Sequence, residues 1–437
     1  MQEDIIDRMK CVNCNFLETQ NGKSYCKIEK KSLEDLGIKS IYDNNKCNVF
    51  EENSKTGSAL AKLHSVYKKW LHVKDDRRID LVLAVALTRD VPGTKLWLLI
   101  VSNSGDWKSE QLHALDDDEE NTRVIKALTS KTIVSGSPSA RDLAPSLRDK
   151  IILIPEMAQL LTLHPNEKSA VWAQLRDLYD GIAGKDSGTG KSSSYKDLNV
   201  TLIGCSTPAI DSQILIHQSL GSRELIYRPP KEDESSEEEL MDKVNENEKH
   251  EEEMRNELRD ITIGFLKQRV YVPIDVPPEI FDKLKGLSNY LRFMRSPAEF
   301  DTWTGELINN AHPEKPTRIL KQLKRLYLGL KSLDETYTDE RALSVIAEVV
   351  RSSSFPNRIA VYKHLHKNPS NKPTEYKISK DLRIGRKTVY RELNVLWNLG
   401  LINKEGGEEI TEYGSTKEKV MWQVNTSTKL FSFLKNK

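Results

Sequence analysis

The sequence predicts a multidomain α/β protein built around a mostly parallel sheet with helices on both faces. Apolar runs of strand length alternate with helical stretches through the middle of the chain, the pattern of layered α/β folds. The 437 residues are enough for about two to four domains. The charge is also unevenly distributed: an acidic segment, 231–257, follows the region of the predicted sheet, and the tail from residue 355 is basic.

The composition predicts no membrane span and favours a nucleic-acid partner. No apolar run approaches the roughly 18 residues of a membrane helix, and the N-terminal MQEDIIDRMK is too polar for a signal peptide. We therefore expect a cytoplasmic protein with no membrane partner. From residue 355 to the end, 16 Lys and Arg stand against 8 Asp and Glu. Such a tail is typical of DNA-binding segments, with solvated surface charge as the alternative.

Four cysteines within residues 1–52 predict a small zinc-binding head. Cys11 and Cys14 have the C-x-x-C spacing of a zinc knuckle, and Cys26 and Cys47 supply two further thiolates. A bound Zn²⁺ ion would let a segment with little core of its own fold. Four reduced thiols and an iron–sulfur cluster are the alternatives.

We predict that residues 59–230 form the core domain, which follows the polar linker ENSKTGS. A helix, ALAKLHSVYKKWLHV, comes first, and the apolar run LVLAVAL follows it. The predicted strands are KLWLLIV, KIILI and NVTLIGC. Cys205, inside the last of these strands, is interpreted as a small buried core residue.

The stretch 102–109 has the context of a phosphate-binding loop, because it follows a buried strand and precedes a helix. Lys108 would reach the β- and γ-phosphates, and the hydroxyl of Ser109 would reach magnesium. The predicted nucleotide-binding residues are Ser102, Asn103, Ser104, Gly105, Asp106, Trp107, Lys108, Ser109 and Thr207. KDSGTGKS, at 185–192, matches the letters of the motif better, but it leads into a strand, so we interpret it as an exposed, lysine-tipped hairpin or loop.

Side chains at other strand and helix ends extend the predicted site. Glu156 follows KIILI, where an acid would face magnesium and the attacking water. Ser206 and Thr207 end NVTLIGC, where a polar group would lie near the γ-phosphate. Arg223 and Arg318 stand in LGSRELIYR and KPTRILKQL. The alternative for each is an ordinary capping or solvated residue.

In this order the motifs resemble those of the AAA+ ATPases of the minichromosome maintenance (MCM) helicase type, and those of smaller P-loop ATPases of phages and plasmids. SGDWKSEQL is similar to their G-x-P-G-x-x-K-S-Q-L-L loop, and IPEM to their Walker B segment I-D-E-[FM]. SRELIYR resembles the segment that carries an arginine finger, and PTRILKQL resembles a lid helix with a second sensor arginine. The resemblance covers roughly residues 60–350.

The resemblance implies ATP and Mg²⁺ as cofactors, with Glu156, Arg223 and Arg318 as catalytic residues. An arginine that acts on a neighbouring subunit implies a homo-oligomer, for which a hexameric ring is one arrangement. The resemblance also implies that a hairpin at 182–196 touches DNA, through Lys185 and Lys191.

Two positions depart from the family pattern. Pro155 stands where the magnesium-binding Asp is expected, and Trp107 stands where Gly or Ala is usual. A degenerate core that binds nucleotide without hydrolysing it is therefore the alternative to an ATPase.

Beyond the core, we predict that residues 231–268 form a charged linker and that residues 269–350 form a helical lid. The linker begins with a capping-box pattern, Ser235 to Glu238, and is predicted to form one long polar helix. In the lid, LKQLKRLYLGLKSL carries leucines at three- and four-residue spacing.

We predict that residues 355–437 form a winged helix-turn-helix domain. Three helices, with Gly385 in the turn between the second and third, precede two strands around a Gly-rich tip. The third helix has an inward apolar stripe, and the residues left outward for DNA are Arg386, Lys387, Thr388, Tyr390, Arg391 and Asn394. Protein contact is the alternative, which the acidic wing favours.

The sequence therefore predicts a DNA-binding AAA+ ATPase, either an MCM-like helicase or translocase or a replication-initiation motor. The first alternative is a DNA-binding regulator or initiator with a degenerate core that does not hydrolyse ATP. The second is a zinc-anchored adaptor that makes no contact with DNA.

Overall fold

The computed structural model describes the greater part of the chain from residue 58 onward and three short strands before it. The described residues are 17–20, 23–26, 31–32, 58–117, 120–136, 141–186, 192–211, 223–230, 234–269, 271–301, 303, 307–410 and 416–435. Among them, no helix has the length and apolarity needed to cross a membrane.

The N-terminal segment forms a small antiparallel sheet. Its strands, β1 (Leu17–Gln20), β2 (Lys23–Cys26) and β3 (Lys31–Ser32), pair in sequence order. Cys11, Cys14 and Cys47 lie outside the described residues, and so does the side chain of Cys26. The zinc site therefore stays a prediction. Within the part of the chain that is described, no cluster of three His, Cys, Asp or Glu side chains could hold a metal.

The core domain alternates helices and strands as predicted. Its elements are α1 (Ala59–Trp70), α2 (Arg77–Leu87), β4 (Trp97–Val101), α3 (Lys108–His113), β5 (Thr122–Val124), β6 (Ile151–Ile154), α4 (Pro165–Tyr179), β7 (Ala183–Asp186), β8 (Ser192–Tyr195), β9 (Thr201–Ser206) and β10 (Leu225–Tyr227). The predicted strands KLWLLIV and KIILI contain β4 and β6, and NVTLIGC overlaps β9, which extends one residue further to Ser206. LVLAVAL lies in the helix α2.

In the described residues, five strands form one parallel sheet in the order β10-β4-β9-β6-β5. Every side chain of β4, β6 and β9 is buried. Strands buried on both faces read as continuous apolar runs, which is why these segments stand out in the sequence. The prediction of a parallel sheet is confirmed.

Helices cover both faces of this sheet, because alternate side chains of each strand point to opposite sides. Leu98 and Ile100 of β4 join a cluster with α1 and α2. Leu99 and Val101 join a second cluster with α4. The first cluster continues without a break into the C-terminal half of the chain.

The C-terminal half is mostly helical. Its elements are α5 (Glu234–Asn247), α6 (Glu251–Gln268), α7 (Pro278–Met294), α8 (Thr317–Lys331), α9 (Asp339–Ser352), α10 (Pro356–Lys367), α11 (Glu375–Leu382), α12 (Arg386–Asn398), β11 (Ile402–Ile410), β12 (Thr416–Val424) and α13 (Lys429–Lys435).

The prediction of one long polar helix over 235–268 is wrong at its middle. The chain tightens into a 3₁₀ turn at 248–250, which separates α5 from α6. At this point the side chain of Asn247 donates a hydrogen bond to the carbonyl of Trp70 at the end of α1, 2.7 Å away. Glu257 of α6 accepts hydrogen bonds from Trp70 and Lys69. Docking on α1 therefore interrupts the helix without a proline or glycine.

The predicted lid helices pack directly on the core domain. Helix α8 crosses α2 at Gly329, where an added Cβ atom would lie 2.6 Å from the carbonyl oxygen of Ala84. The absence of a side chain at Gly329 lets the two backbones approach, and Ile319, Leu323 and Leu326 of α8 are fully buried.

The tail contains the predicted helices and strands, with two differences in its turns. The left-handed residue between α11 and α12 is Arg383, with φ 53°, while Gly385 begins α12 in an ordinary extended conformation. Gly406 and Gly407, within the segment predicted to form a Gly-rich tip, lie inside β11, opposite Val420 and Lys419. The tip falls at 411–415, outside the described residues.

We predict that Gly329→Ala lowers the free energy of unfolding by about 2 kcal/mol or more, because the new methyl group forces α8 away from α2. The loss would exceed the gain of up to about 1 kcal/mol that alanine brings to a helix. Urea denaturation of the full chain measures it.

Gly264 of α6 provides the matched control, since a Cβ atom there meets no described atom within 4 Å. Gly264→Ala should raise stability by up to about 1 kcal/mol. Equal effects of the two substitutions would contradict the close crossing of α2 and α8.

Candidate functional site

The candidate site lies at the carboxyl edge of the parallel sheet. From β4 the chain crosses to β5 at one border of the sheet, whereas from β9 it crosses to β10 at the other border. Ligands of open α/β sheets bind where neighbouring strands send their connections in opposite directions. The loop 102–107 follows β4 at this point, and Ser206 ends the adjacent β9.

The loop after β4 folds around its own lysine. The side chain of Lys108 is only 3% exposed, and its ammonium group donates a hydrogen bond to the carbonyl of Asn103 at 2.7 Å. Gly105 has a φ of 87° and open space around it. The backbone N–H of Ser102 donates to the carbonyl of Ser206, which ties the loop to β9. The lysine is therefore already held over the loop.

The indole of Trp107 is held by α1 and α2. Its N–H donates to the carbonyl of His72 at 3.1 Å, and its ring meets that of Tyr67 edge to face. The guanidinium group of Arg78 lies 3.6 Å from the centre of the indole ring. Arg78 also binds both carboxylate oxygens of Asp106, at 2.7 and 2.8 Å. Sequence reasoning missed Arg78, for which the only signal is a charge three positions before the long apolar run LVLAVAL.

Two hydroxyl groups at this edge are buried without a partner in the described structure. They belong to Ser102 and Ser206, and Ser206 is fully buried. A buried hydroxyl without a hydrogen bond costs roughly 1–3 kcal/mol, so such groups are uncommon in proteins except where a ligand or water completes them. Cys205 beside them is a core residue as predicted, and burial raises the pKa of its thiol to about 12.

The predicted acid and the remaining polar residues lie at the same edge. Glu156 is half-buried, two residues beyond the end of β6. Thr207 is half-buried, directly after β9, and begins a 3₁₀ turn. Ser109 lies in the first turn of α3. The structure thus brings the loop, Glu156 and Thr207 to the carboxyl ends of β4, β6 and β9.

The two predicted arginines lie at the opposite, amino edge. The ring of Tyr179 packs against Trp97, the first residue of β4, and Gln322 bonds both to Tyr179 and to the carbonyl of Arg223. Arg223 pairs with Asp180 at 3.1 Å. Arg318 pairs with Glu314 at 2.7 Å. The structure does not bring either arginine to the loop of its own chain. The amino edge, where the arginines lie, is separated from the loop at the carboxyl edge by the length of a strand, about 16 Å.

Strands β7 and β8 pair antiparallel, as expected for a hairpin at 182–196, while 187–191 between them lie outside the described residues. Lys185 is half-buried, and its ammonium group donates to the carbonyl of Ser130 at 3.3 Å. Lys191 lies outside the described residues. Asp142 fastens the hairpin: burial opposes its ionisation, but hydrogen bonds from Ser135 and from the hydroxyl of Tyr195 lower its pKa to about 2.

On α12 the predicted outward face is only partly open. Arg386 and Lys387 are exposed, and Arg386 pairs with Glu375 of α11. Thr388, Tyr390, Arg391 and Asn394 are half-buried, and Asn394 donates to the carbonyl of Tyr390. The guanidinium group of Arg391 lies over the ring of Phe300 in the connection between α7 and α8.

The stripe predicted to face inward on α12 is confirmed. Val389, Leu393 and Leu396 are fully buried, while Leu399 is partly buried against the same cluster.

We predict that Ser206→Ala leaves the free energy of unfolding unchanged or raises it by up to about 1 kcal/mol, because the lost hydroxyl has no partner among the described residues. Denaturation of the ligand-free protein by urea measures this.

Thr262 is the matched control, because its buried hydroxyl donates to Leu258 and bonds to the hydroxyl of Tyr67. Thr262→Val should cost about 1–3 kcal/mol, since it leaves the Tyr67 hydroxyl buried and unpaired. A similar loss for both variants would mean that the Ser206 hydroxyl is paired after all.

No protein-family model matches this sequence, and no curated protein matches it significantly. Among solved structures, the RuvB Holliday junction branch migration motor of Thermotoga maritima is 12% identical, with a TM-score of 0.24, over 83% of this chain and 95% of that one. The apo A form of the NrS-1 C-terminal region is 10% identical, with a TM-score of 0.31, over 94% of this chain and 82% of that one. Similarities this low establish neither the fold nor the activity of this chain.

Proposed function

We propose that this protein is a DNA-binding AAA+ ATPase, an MCM-like helicase or translocase or a replication-initiation motor. One observation carries the proposal: a loop with a buried lysine, an acid and unpaired buried hydroxyls meet at the carboxyl edge of one parallel sheet. This is the combination of cation, acid and donors that a nucleoside triphosphate requires.

In this proposal the loop 102–109 binds the phosphates of ATP. Lys108 releases the carbonyl of Asn103 and pairs with the phosphate oxygens, while the backbone N–H groups around Gly105 approach the ligand. The open space at Gly105 supports this approach. The unpaired hydroxyls of Ser102 and Ser206 gain acceptors when phosphate is bound, which would remove their desolvation cost.

Glu156 is the proposed base that orients the attacking water. Its carboxylate stands after β6, next to the end of β9, and Thr207 contributes a hydroxyl near the γ-phosphate. The hydroxyl of Ser109 and the carboxylate of Glu156 are oxygen donors of the kind that Mg²⁺ prefers. Mg²⁺ would supply neutralisation of the charge that develops on the phosphates.

The position of the arginines supports an oligomer. Arg223 and Arg318 lie at the amino edge of their own sheet, far from their own loop, and their side chains are partly exposed. In a ring, this edge of one subunit would complete the site of the next, and Arg223 would stabilise the transferred phosphoryl group there.

The tail is the proposed DNA-binding part, as a winged helix with α12 in the major groove. Lys387 is the best-placed side chain, because it is exposed and has no ion-pair partner within the described residues. Arg386 lies beside it. In the core domain, Lys185 and Lys191 of the hairpin would contact the DNA strand, and the N-terminal cysteines would bind Zn²⁺.

A DNA-binding regulator whose core binds ATP without hydrolysing it is the second candidate function. Pro155 favours it, because Glu156 is then the only acid directly after β6. ATP binding together with ATP turnover distinguishes the two candidates.

We predict that Lys108→Ala weakens ATP binding at least about tenfold, because one charge contact to the phosphates is lost. Glu156→Gln should keep ATP binding and lower DNA-stimulated turnover by at least about 100-fold. Calorimetry with Mg·ATP and a phosphate-release assay measure the two effects.

Lys62→Ala, on the exposed surface of α1, is the control and should change neither quantity. Wild-type binding without turnover would support the regulator. Unchanged ATP affinity in Lys108→Ala would refute the nucleotide site at 102–109.

We predict that Lys387→Ala weakens DNA binding about uniformly across sequences and reduces the slope of log K against log salt by about 1, as expected for one lost phosphate contact. Fluorescence anisotropy with duplex DNA at several salt concentrations measures it. If the slope does not change relative to Lys62→Ala, the exposed face of α12 serves another partner.

A further inference from the structure

We propose that Arg78 is the positioning residue of the phosphate loop: it neutralises the loop's own acid and holds the indole that stands in place of glycine. This inference rests on the proposed nucleotide site at 102–109, and it assigns a role to a residue outside that loop.

Arg78 is the centre of a buried set of contacts between α2, the loop and α3. Its side chain is 3% exposed. Nη1 donates to both carboxylate oxygens of Asp106, and Nε donates to the side-chain oxygen of Gln111 at 3.0 Å. Gln111 returns a hydrogen bond to the carbonyl of Arg78. One side chain from α2 thus fixes residues on either side of Lys108.

The negative charge of Asp106 is the first reason why the loop requires Arg78. A carboxylate two residues before the phosphate-binding lysine repels the triphosphate that the loop must bind. Within a partly buried site such repulsion is much stronger than in water. The ion pair with Arg78 cancels this charge and turns the carboxylate toward α2.

The size of the Trp107 side chain is the second reason why the loop requires Arg78. Phosphate loops use small residues so that backbone N–H groups can approach the ligand closely. Here the bulky ring stacks under Arg78 and bonds to His72, so it lies against α1 and α2. A planar guanidinium can stack and form a fork of hydrogen bonds at once, which an ammonium group cannot do.

The test measures binding of Mg²⁺ with ATP, ADP or AMP to the full chain by calorimetry. Arg78→Met should weaken ATP binding roughly 10- to 100-fold, because one uncancelled charge then faces the phosphates. The loss should shrink from ATP to ADP to AMP. A general loss of folding would lower all three equally, so this gradient is specific to charge.

Two further variants complete the test, and the first of them keeps Arg78, so it is decisive even if Arg78→Met folds poorly. Asp106→Asn should strengthen ATP binding about threefold or more, because the positive charge of Arg78 is then uncancelled. The double variant Arg78→Met/Asp106→Asn should return to within about threefold of wild type. Arg89→Met is the control, since Arg89 lies just beyond the C-terminal end of α2, where it pairs with Asp90, and the substitution should not change ATP affinity.

The outcomes separate the two proposals. If the wild type binds none of the three nucleotides, the nucleotide site and the role of Arg78 both fall. If the wild type binds ATP and Arg78→Met binds it equally well, only the role of Arg78 is overturned. A double variant that stays as weak as Arg78→Met, or a weakened Asp106→Asn, would also overturn it.

Discussion

The parallel pairing of β4 with β9 is the constraint from which the candidate site follows. Val101 pairs with Ser206, so the two strands end level with each other. The loop after β4 therefore leaves the sheet beside Ser206, and the thiol of Cys205 lies within reach of the carbonyl of Lys108. Because β4 is buried on both faces, the loop cannot move relative to the sheet without disturbing the core.

A second constraint comes from the helices on the face of the sheet that contains Leu98 and Ile100. Asp80 of α2 is fully buried and accepts hydrogen bonds from Tyr337 and from Arg341 of α9, while His64 of α1 lies 2.7 Å away. Burial and the neighbouring Asp80 carboxylate raise the pKa of Tyr337. This network orients α2, and α2 in turn presents Arg78 to the loop.

These constraints explain how a loop with few glycines reaches a defined conformation. A loop that lacks small residues can still reach a defined conformation if its bulky and charged side chains are held from outside. In this chain the holding groups are Tyr67 of α1, His72 just after it and Arg78 of α2, all of which precede the loop in sequence. The tail is joined to the same core: Arg358 of α10, which is 2% exposed, bonds to Glu392 of α12 and to the carbonyl of Ser296 beyond α7.

Local patterns in the sequence determined the buried strands β4, β6 and β9, the apolar stripe of α12 and the hairpin at 182–196. Each depends on burial or turn formation by neighbouring residues, which leaves a periodic or continuous apolar signal. They also indicated that the polar strand ends would meet, since carboxyl ends of parallel strands share an edge.

Only the tertiary structure decided the order of the strands, the break between α5 and α6, the contact of Arg391 with Phe300, and the location of Arg223 at the amino edge. It also decided that Arg78 binds Asp106, two residues 28 positions apart. Such contacts depend on how separate elements dock, and a pairing over long sequence distance leaves no periodic trace in either segment. The sequence therefore specified the elements, whereas long-range packing specified which side chains meet.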